Sequence, residues 1–159
     1  MRIEKGFVFF VTGGASGLGE ATVREIHSLG ASVAVADFNE ERLEMLQKDL
    51  KERILTIKCD VTKEADVKAA IEKTVETFGT IHAALACAGV ATVSLTISKT
   101  GSLDTEVFRK TTEINVYGSV YVAKYSAVVM SKNKPLNDKG ERGVILFVSS
   151  VAAEEGQRG

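Results

Sequence analysis

The feature that most constrains the fold is a glycine-rich segment between an apolar run and a helical pattern. The run at residues 7–11 predicts a buried strand, because it is short, β-branched and aromatic, and bounded by turn residues. From Gly17 to Gly30 the apolar residues recur at helical spacing, which predicts a helix. Glycines let the backbone approach a phosphate closely, and the free N–H groups of a helix start face an anion. The segment at residues 12–19 therefore predicts an anion site.

The glycine spacing alone does not identify the ligand. It is Gly-x-x-x-Gly-x-Gly, which differs from the commonest dinucleotide fingerprint, and it lacks the lysine of a P-loop. A tight strand-to-helix turn in any α/β protein is the alternative. Asp37 ends the next apolar run about twenty residues beyond the glycines, where a carboxylate can accept both hydroxyls of an adenine ribose. A carboxylate there repels a ribose 2′-phosphate and favours NAD over NADP, unless Asp37 instead caps the next helix.

The rest of the chain alternates between strand and helix patterns. Strands are expected at residues 32–36, 54–59, 81–86 and 144–148, with helices at 40–50, about 67–78 and about 104–131, and a long loop at 90–103. Single helices between strands imply right-handed crossovers and a parallel sheet covered on both faces. We predict one α/β domain over residues 1–159, a Rossmann-type doubly wound parallel sheet of strand order 3-2-1-4-5, incomplete at its C-terminal side.

Composition restricts the class of partner. The chain has 45% apolar and 26% charged residues and a net charge of −1, which is typical of a globular domain. Because basic and acidic residues balance and no apolar run approaches the roughly 18 residues that span a bilayer, neither nucleic acid nor membrane is expected as a partner. The start does not resemble a signal peptide, so a cytoplasmic or mitochondrial protein is expected rather than a secreted one. Cys59 and Cys87 lack ligand-like spacing, so we expect reduced, buried thiols and no metal site.

Several separated motifs together resemble the short-chain dehydrogenase/reductase family over essentially the whole chain. They are Thr12-Gly13-x-x-x-Gly17-x-Gly19, Asp37, Asp60-Val61, Ala88-Gly89, Asn115 and Ser149-Ser150. Within the family, the segments at residues 13–19, 87–89 and 142–153 most resemble the type 2 3-hydroxyacyl-CoA dehydrogenases, also described as 17β-hydroxysteroid dehydrogenases. The resemblance implies hydride transfer between NAD and a secondary alcohol or ketone of hydroxyacyl or hydroxysteroid type, and a homo-oligomer for the full-length protein.

The resemblance also implies cofactor contacts at the matching residues. The pyrophosphate would contact Gly13, Ser16, Gly17, Leu18 and Gly19, and the adenosine ribose would contact Asp37. The adenine would lie against Asp60 and Val61, and the second ribose would lie beside Cys87, Ala88 and Gly89. Asp60 has an alternative role as the cap of the helix that follows. Ala86 stands where the family usually has asparagine, so we expect a modest loss of rigidity near the nicotinamide, since a satisfied buried amide contributes on the order of 1 kcal/mol.

Two residues are implied in the chemistry itself. Asn115 would kink the long helix and hold a water in a proton relay, and its alternative is an ordinary exposed helix residue. Ser150 would donate a hydrogen bond to the substrate oxygen. Ser149 competes with it for this role, and Ser150 is preferred because it directly precedes Val-Ala-Ala. The alternative is that the serine only caps a turn.

The family's proton donor, a tyrosine in a Tyr-x-x-x-Lys motif, has no counterpart in the sequence. Tyr117, Tyr121 and Tyr125 lack a lysine four residues on. We therefore expect the chain to be truncated before that motif and to be inactive alone. The apolar fifth strand would then border an open sheet edge that invites association. Three interpretations follow: an NAD-dependent dehydrogenase with residues missing from the chain, a non-catalytic NAD-binding or interaction fragment, or another Rossmann protein such as a methyltransferase.

Overall fold

Five parallel strands form the central sheet. The computed structural model describes residues 3–99 and 101–156, so both ends of the predicted domain lie outside the described residues. The strands are β1 (Val8–Thr12), β2 (Ser32–Asp37), β3 (Ile54–Lys58), β4 (Ala83–Ala86) and β7 (Val144–Phe147). Their order is β3-β2-β1-β4-β7. The predicted fold class and strand order are confirmed, with β7 as the fifth strand of the prediction.

Helices cover the sheet. They are α1 (Gly17–Ser28), α2 (Glu40–Leu50), α3 (Glu64–Phe78), α4 (Thr105–Thr112) and α5 (Gly118–Met130). A π-helical segment, Glu113–Tyr117, joins α4 to α5 within the helix predicted over about residues 104–131, and it contains Asn115, where a kink was expected. Asp104 starts this stretch as the cap of α4 and accepts a hydrogen bond from Glu106 N at 2.9 Å. Across the described residues, no helix combines the length and apolar character that crossing a membrane requires.

The core consists of two layers, one on each face of the sheet. All five residues of β1 are buried, because helices lie on both sides and neighbouring strands lie at both edges. On one face, strand residues such as Val11 and Val35 pack with α1 and α2. On the other face, Phe10 and Ala36 pack with α3 and α5. Burying a side chain of this kind stabilises the fold by about 1.5–3 kcal/mol, which fixes the strand positions and therefore the loops at their ends.

The segment predicted as a long loop contains a small hairpin. Its antiparallel strands, β5 (Ile97–Ser98) and β6 (Gly101–Ser102), have two residues each. Strands of two residues are too short to display the alternation that identifies longer ones, so they could not be predicted from residue pattern.

Within residues 3–99 and 101–156, β7 pairs only with β4 and is one of the two edge strands of the sheet, the other being β3. Helix α5 covers one face of β4 and β7, where Ile145 packs into the α3 and α5 layer. On the opposite face, an apolar groove of about 620 Å³ runs between the sheet and α1. Its lining includes Phe9, Leu18, Ile26, Leu85, Val144 and Leu146.

Candidate cofactor site

The glycine turn after β1 brings two strand ends into direct contact. Gly13 has φ +66°, and a Cβ atom built on it would lie 2.6 Å from both Cα and N of Ala88. The backbone N–H of Gly13 donates to Ala36 O at 2.8 Å, and Cys87 N donates to Thr12 O at 3.1 Å. Only glycine satisfies both the left-handed conformation and the close approach at this position. The turn therefore packs directly against the end of β4.

The N-terminus of α1 keeps its first N–H groups clear of side-chain caps. Ser16 is the N-cap residue, but its side chain makes no capping hydrogen bond. The side chain of Leu18 is 76% exposed, while Gly19 is buried against the Gly13 carbonyl. Because a helix start presents unpaired N–H groups and a positive dipole end, this geometry suits a phosphate. Gly17, with φ +54°, gives the chain its turn into the helix.

Asp37 lies at the end of β2 and faces the glycine turn. It is only 6% exposed, and its Oδ2 accepts a hydrogen bond from Ala15 N at 3.1 Å. Its Oδ1 accepts from Asn39 N at 3.0 Å. The alternative role as helix cap is wrong, because α2 is capped by Asn39, whose Oδ1 accepts from Arg42 N at 3.1 Å. The carboxylate is therefore held beside the glycine turn.

Asp60 and Val61 follow β3 at the same edge of the sheet. Asp60 Oδ1 accepts hydrogen bonds from Thr62 N at 3.1 Å and from Thr62 Oγ1 at 2.7 Å, and Lys63 Nζ lies 3.5 Å from Oδ2. Burial alone would raise the pKa of Asp60, but these hydrogen bonds and the Lys63 charge outweigh it and lower the pKa. Asp60 is not the cap of α3, which has Lys63 at that position. Val61 is buried beneath α5.

Small residues follow β4. Ala86 is buried, Cys87 and Ala88 are half-buried, and Gly89 is exposed. Both cysteines are free, but only Cys59 is fully buried, so the prediction of two buried thiols is wrong for Cys87. Burial raises the pKa of Cys87, and burial together with the charges of nearby aspartates raises the pKa of Cys59 to about 12. Neither thiol is therefore ionised near neutral pH.

Asn115 lies in the π-helical segment and binds the loop that leaves β4. Its Oδ1 accepts from Val90 N at 2.9 Å, and its Nδ2 donates to Val90 O at 2.9 Å. A Cβ atom on Gly89 would lie 3.4 Å from the same Oδ1. Asn115 is exposed, as its alternative interpretation expects, yet its side-chain amide makes two hydrogen bonds to the loop backbone. Single π-helical turns of this kind often mark functional sites.

Ser149 and Ser150 follow β7. Val148 N donates to Ala86 O at 3.3 Å, so the chain leaves the sheet beside the end of β4. Ser150 Oγ accepts from Ala152 N at 3.2 Å and caps a short 3-10 turn, Val151–Ala153. A serine hydroxyl that accepts one hydrogen bond still has a proton to donate. Both serines are exposed at the edge of the sheet.

The tyrosines before β7 have other partners. Tyr125 OH and Lys124 Nζ both donate to Glu64 Oε1, at 2.8 and 2.7 Å, and so connect α5 to the start of α3. Tyr117 and Tyr121 stack with ring centroids 6.4 Å apart. No cluster of three or more potential metal ligands occurs among the residues that the structure describes.

Sequence reasoning missed three residues that shape this site. They are Asn39, Thr62 and Gly118. An asparagine directly before Glu40 and Glu41 is a recognisable helix start, and it could have identified Asn39 as the cap. A glycine inside an apolar helical stretch is a signal of close packing, and it could have identified Gly118.

A doubly wound parallel sheet that carries a glycine turn, an aspartate after β2 and small residues after β4 at one edge defines the Rossmann class of α/β proteins. The sequence model of the family described as short chain dehydrogenase matches residues 8–159. The chain belongs to this oxidoreductase family. That membership sets aside the methyltransferase alternative.

Curated relatives and solved structures agree with this assignment. The chain is 40% identical over 157 residues to 3-hydroxyacyl-CoA dehydrogenase type-2 of Drosophila melanogaster, which covers 98% of this chain and 61% of the relative. The Homo sapiens protein of the same name is 39% identical over 160 residues, covering 99% and 61%. The crystal structure of 3-hydroxyacyl-CoA dehydrogenase type-2 from Mycobacterium avium superposes with a TM-score of 0.90 at 34% identity, covering 100% and 63%. The chain thus spans about 61% of the length of these curated relatives.

Proposed function

We propose that the carboxyl edge of the sheet binds NAD. The observation that carries the proposal is the buried Asp37 carboxylate, which accepts a hydrogen bond from Ala15 within the glycine turn. The start of α1, free of a side-chain cap, would hold the pyrophosphate, and Asp37 would accept the hydroxyls of the adenosine ribose. The loops after β3 and β4 would hold the adenine and the second ribose. When bound, NAD supplies a carbon that accepts or returns a hydride.

The Asp37 carboxylate supports NAD rather than NADP. A 2′-phosphate at the same ribose would bring a second negative charge against a carboxylate that is buried and fixed by two backbone N–H groups. The carboxylate cannot turn away without losing both hydrogen bonds. We therefore expect the preference for NAD to depend on this one charge.

The test compares NAD and NADP affinities of Asp37→Asn with those of the unsubstituted chain by titration calorimetry. The amide retains one of the two acceptor oxygens and removes the charge, so NAD affinity should fall more than NADP affinity. Asp49→Asn is a matched control, because Asp49 pairs with Arg24 on the surface and not with the glycine turn. An unchanged NAD-to-NADP ratio in Asp37→Asn would remove Asp37 from this role.

We further propose that residues 1–159 are the N-terminal portion of a single-domain NAD-dependent dehydrogenase that interconverts a secondary alcohol and a ketone. The relatives named 3-hydroxyacyl-CoA dehydrogenase type-2 support a hydroxyacyl thioester, or a hydroxysteroid, as the substrate class. Ser150 supports this chemistry, because its hydroxyl can donate to a substrate oxygen while accepting from Ala152 N. Asn115 would hold the loop after β4 against the reacting end of the site.

A non-catalytic role for these 159 residues is the second candidate. They contain no Tyr-x-x-x-Lys, and Tyr125, the tyrosine beside a lysine, donates its hydroxyl proton to Glu64 on α3. We therefore expect the chain to bind NAD without oxidising an alcohol. The measurement is NADH absorbance with purified chain and a 3-hydroxyacyl-CoA, and clear turnover would contradict this expectation.

We also propose that the protein acts as a homo-oligomer in the cytoplasm or mitochondrion. Half-exposed apolar side chains at the π-helical segment and the start of α5 support self-association; they are Val116, Tyr117 and Val120. Sedimentation equilibrium measures the oligomeric state, and a monomer at every concentration would contradict the proposal. The free thiols of Cys59 and Cys87 support a reducing compartment, and subcellular fractionation measures the location.

A further inference from the structure

Gly118 occupies a position that local helix propensity does not explain. It is the first residue of α5 and continues directly from the π-helical segment, with φ −55° and ψ −45°. These angles suit any residue, so the backbone conformation does not require glycine. Glycine within a helix destabilises the helix relative to alanine. The reason for glycine must therefore lie in what the helix contacts.

The contact is with Val61. A Cβ atom built on Gly118 would lie 3.0 Å from Cβ and 3.0 Å from Cγ2 of Val61, and 3.3 Å from Val61 O. Val61 is 8% exposed and packs in the core layer, so displacing it would disturb that packing. The residue before it, Asp60, is fixed by two hydrogen bonds from Thr62. A larger residue at position 118 would have to displace either α5 or the loop after β3.

The same turn of helix also fixes the loop after β4. Three residues before Gly118, Asn115 makes its two hydrogen bonds to Val90. The π-helical segment and the first residue of α5 thus contact the loops that leave β3 and β4. The spacing between those two loops depends on how closely α5 approaches Val61.

We propose that Gly118 is a positioning residue for the adenine half of the cofactor site. Because it lacks a side chain, α5 packs directly on Val61 and sets the position of the loop that carries Asp60 and Val61. This inference rests on the proposed binding of NAD. Gly118 does not itself contact the cofactor; it acts through Val61.

The first experiment measures ADP-ribose binding by calorimetry on the unsubstituted chain, Gly118→Ala and Ser126→Ala. Gly118→Ala should weaken binding about three- to tenfold, because the loop after β3 is displaced while helix propensity improves. Ser126→Ala is the matched control, since Ser126 is buried two turns further along α5 and should leave the affinity unchanged. Gly118→Ala with an altered melting temperature but the original affinity would show a merely structural role and overturn the inference.

The second experiment places Gly118→Ala in a Val61→Ala background. Removing Cγ2 of Val61 relieves one of the close contacts, so the two substitutions should couple, and Gly118→Ala should weaken ADP-ribose binding by less than about twofold there. Additive effects overturn the inference. If Gly118→Ala alone does not fold, Val61→Ala is compared with the double variant that carries both substitutions. A tenfold weaker affinity of the double variant for ADP-ribose overturns the inference. Failure of the unsubstituted chain to bind ADP-ribose would instead contradict the proposed function, and the inference with it.

Discussion

At the scale of single residues, two buried hydroxyl groups differ in whether they have a hydrogen-bond partner. Ser126 on α5 is fully buried, and its Oγ is the one buried side-chain polar atom without a hydrogen-bond partner among the residues described. Thr74 on α3 is equally buried, but its Oγ1 donates to Ala70 O at 2.8 Å. A buried polar group without a partner has lost its hydrogen bonds to water and gained none in return. The two hydroxyls should therefore respond oppositely to removal.

We expect Ser126→Ala to raise the free energy of unfolding by about 1 kcal/mol, because it removes an unsatisfied buried group. Thr74→Val, which keeps the shape and removes a satisfied hydroxyl, should lower it by about 0.5–1 kcal/mol. Urea unfolding of the two variants and the parent chain measures both effects. A loss of stability in Ser126→Ala equal to that in Thr74→Val would mean that Ser126 has a partner.

Sequence reasoning identified the location of Asp37 and Asp60 but not what each carboxylate binds. Both follow predicted strands, and the rule that parallel strand ends share an edge was enough to group them. Residue type could have identified the cap Asn39, but Lys63 makes no capping hydrogen bond with its side chain, so its place before α3 follows from the backbone angles of the turn. Asn39 and Lys63 took the cap positions, which left both carboxylates to other donors.

At the scale of elements, strands β1 and β4 are joined at their starts by a histidine. His82 Nδ1 accepts a hydrogen bond from Val8 N at 3.0 Å, and its ring stacks on Phe7 with centroids 4.7 Å apart. An imidazole nitrogen accepts only when it carries no proton. Burial lowers the pKa of His82 from its ordinary value of 6.5, so the folded chain holds the neutral ring.

This pairing predicts a loss of stability in acid. The pKa of His82 is lower in the folded chain than in the unfolded chain. The contribution of its neutral ring to the free energy of unfolding is therefore complete above pH 6.5, and it is lost as the pH falls through the folded pKa. We expect urea midpoints to fall between pH 7.5 and pH 5, and to fall less in His82→Phe, which keeps a ring against Phe7. Equal pH dependence in His82→Phe and the parent would contradict the assignment.

The elements with a strong apolar period were predictable. At Asn115 the family resemblance implied a kink in the helix, but not its π-helical form. The helix over residues 40–50 and the strand order follow from periodicity and from the handedness of crossovers. The π-helical segment depends on one extra residue in a turn, which leaves the apolar pattern on either side intact. The paired Asn115 amide shows that such a turn can have a tertiary partner that residue spacing does not reveal.

At the scale of the whole molecule, β7 is an apolar edge strand of the sheet in the part of the chain that the structure describes. The side chains of Leu146 and Phe147 on β7 are about half exposed, and β4 is the only strand that pairs with β7 among the residues described. An apolar edge strand with unpaired backbone groups can add a strand from another chain.

We expect Phe147→Lys to slow the growth of light scattering by concentrated solutions of the chain, because a charge on an edge strand opposes pairing with another copy. Met45→Lys is the control, since Met45 is similarly exposed but belongs to helix α2 and not to a strand. Light scattering over time at several concentrations measures the effect. Equal slowing by both substitutions would indicate a general effect of charge instead.

The hydrogen bonds between Asn115 and Val90 make the exchange rate of one backbone amide a measure of this contact. The Val90 N–H belongs to an exposed loop, where amide protons ordinarily exchange with deuterium quickly, yet it donates to Asn115 Oδ1. Its exchange should therefore be slow, and Asn115→Ala should accelerate it while leaving amides of β1 unchanged. A rapidly exchanging Val90 amide in the parent chain would contradict the pairing. Followed by NMR, this single proton would record how often the π-helical segment separates from the loop that leaves β4.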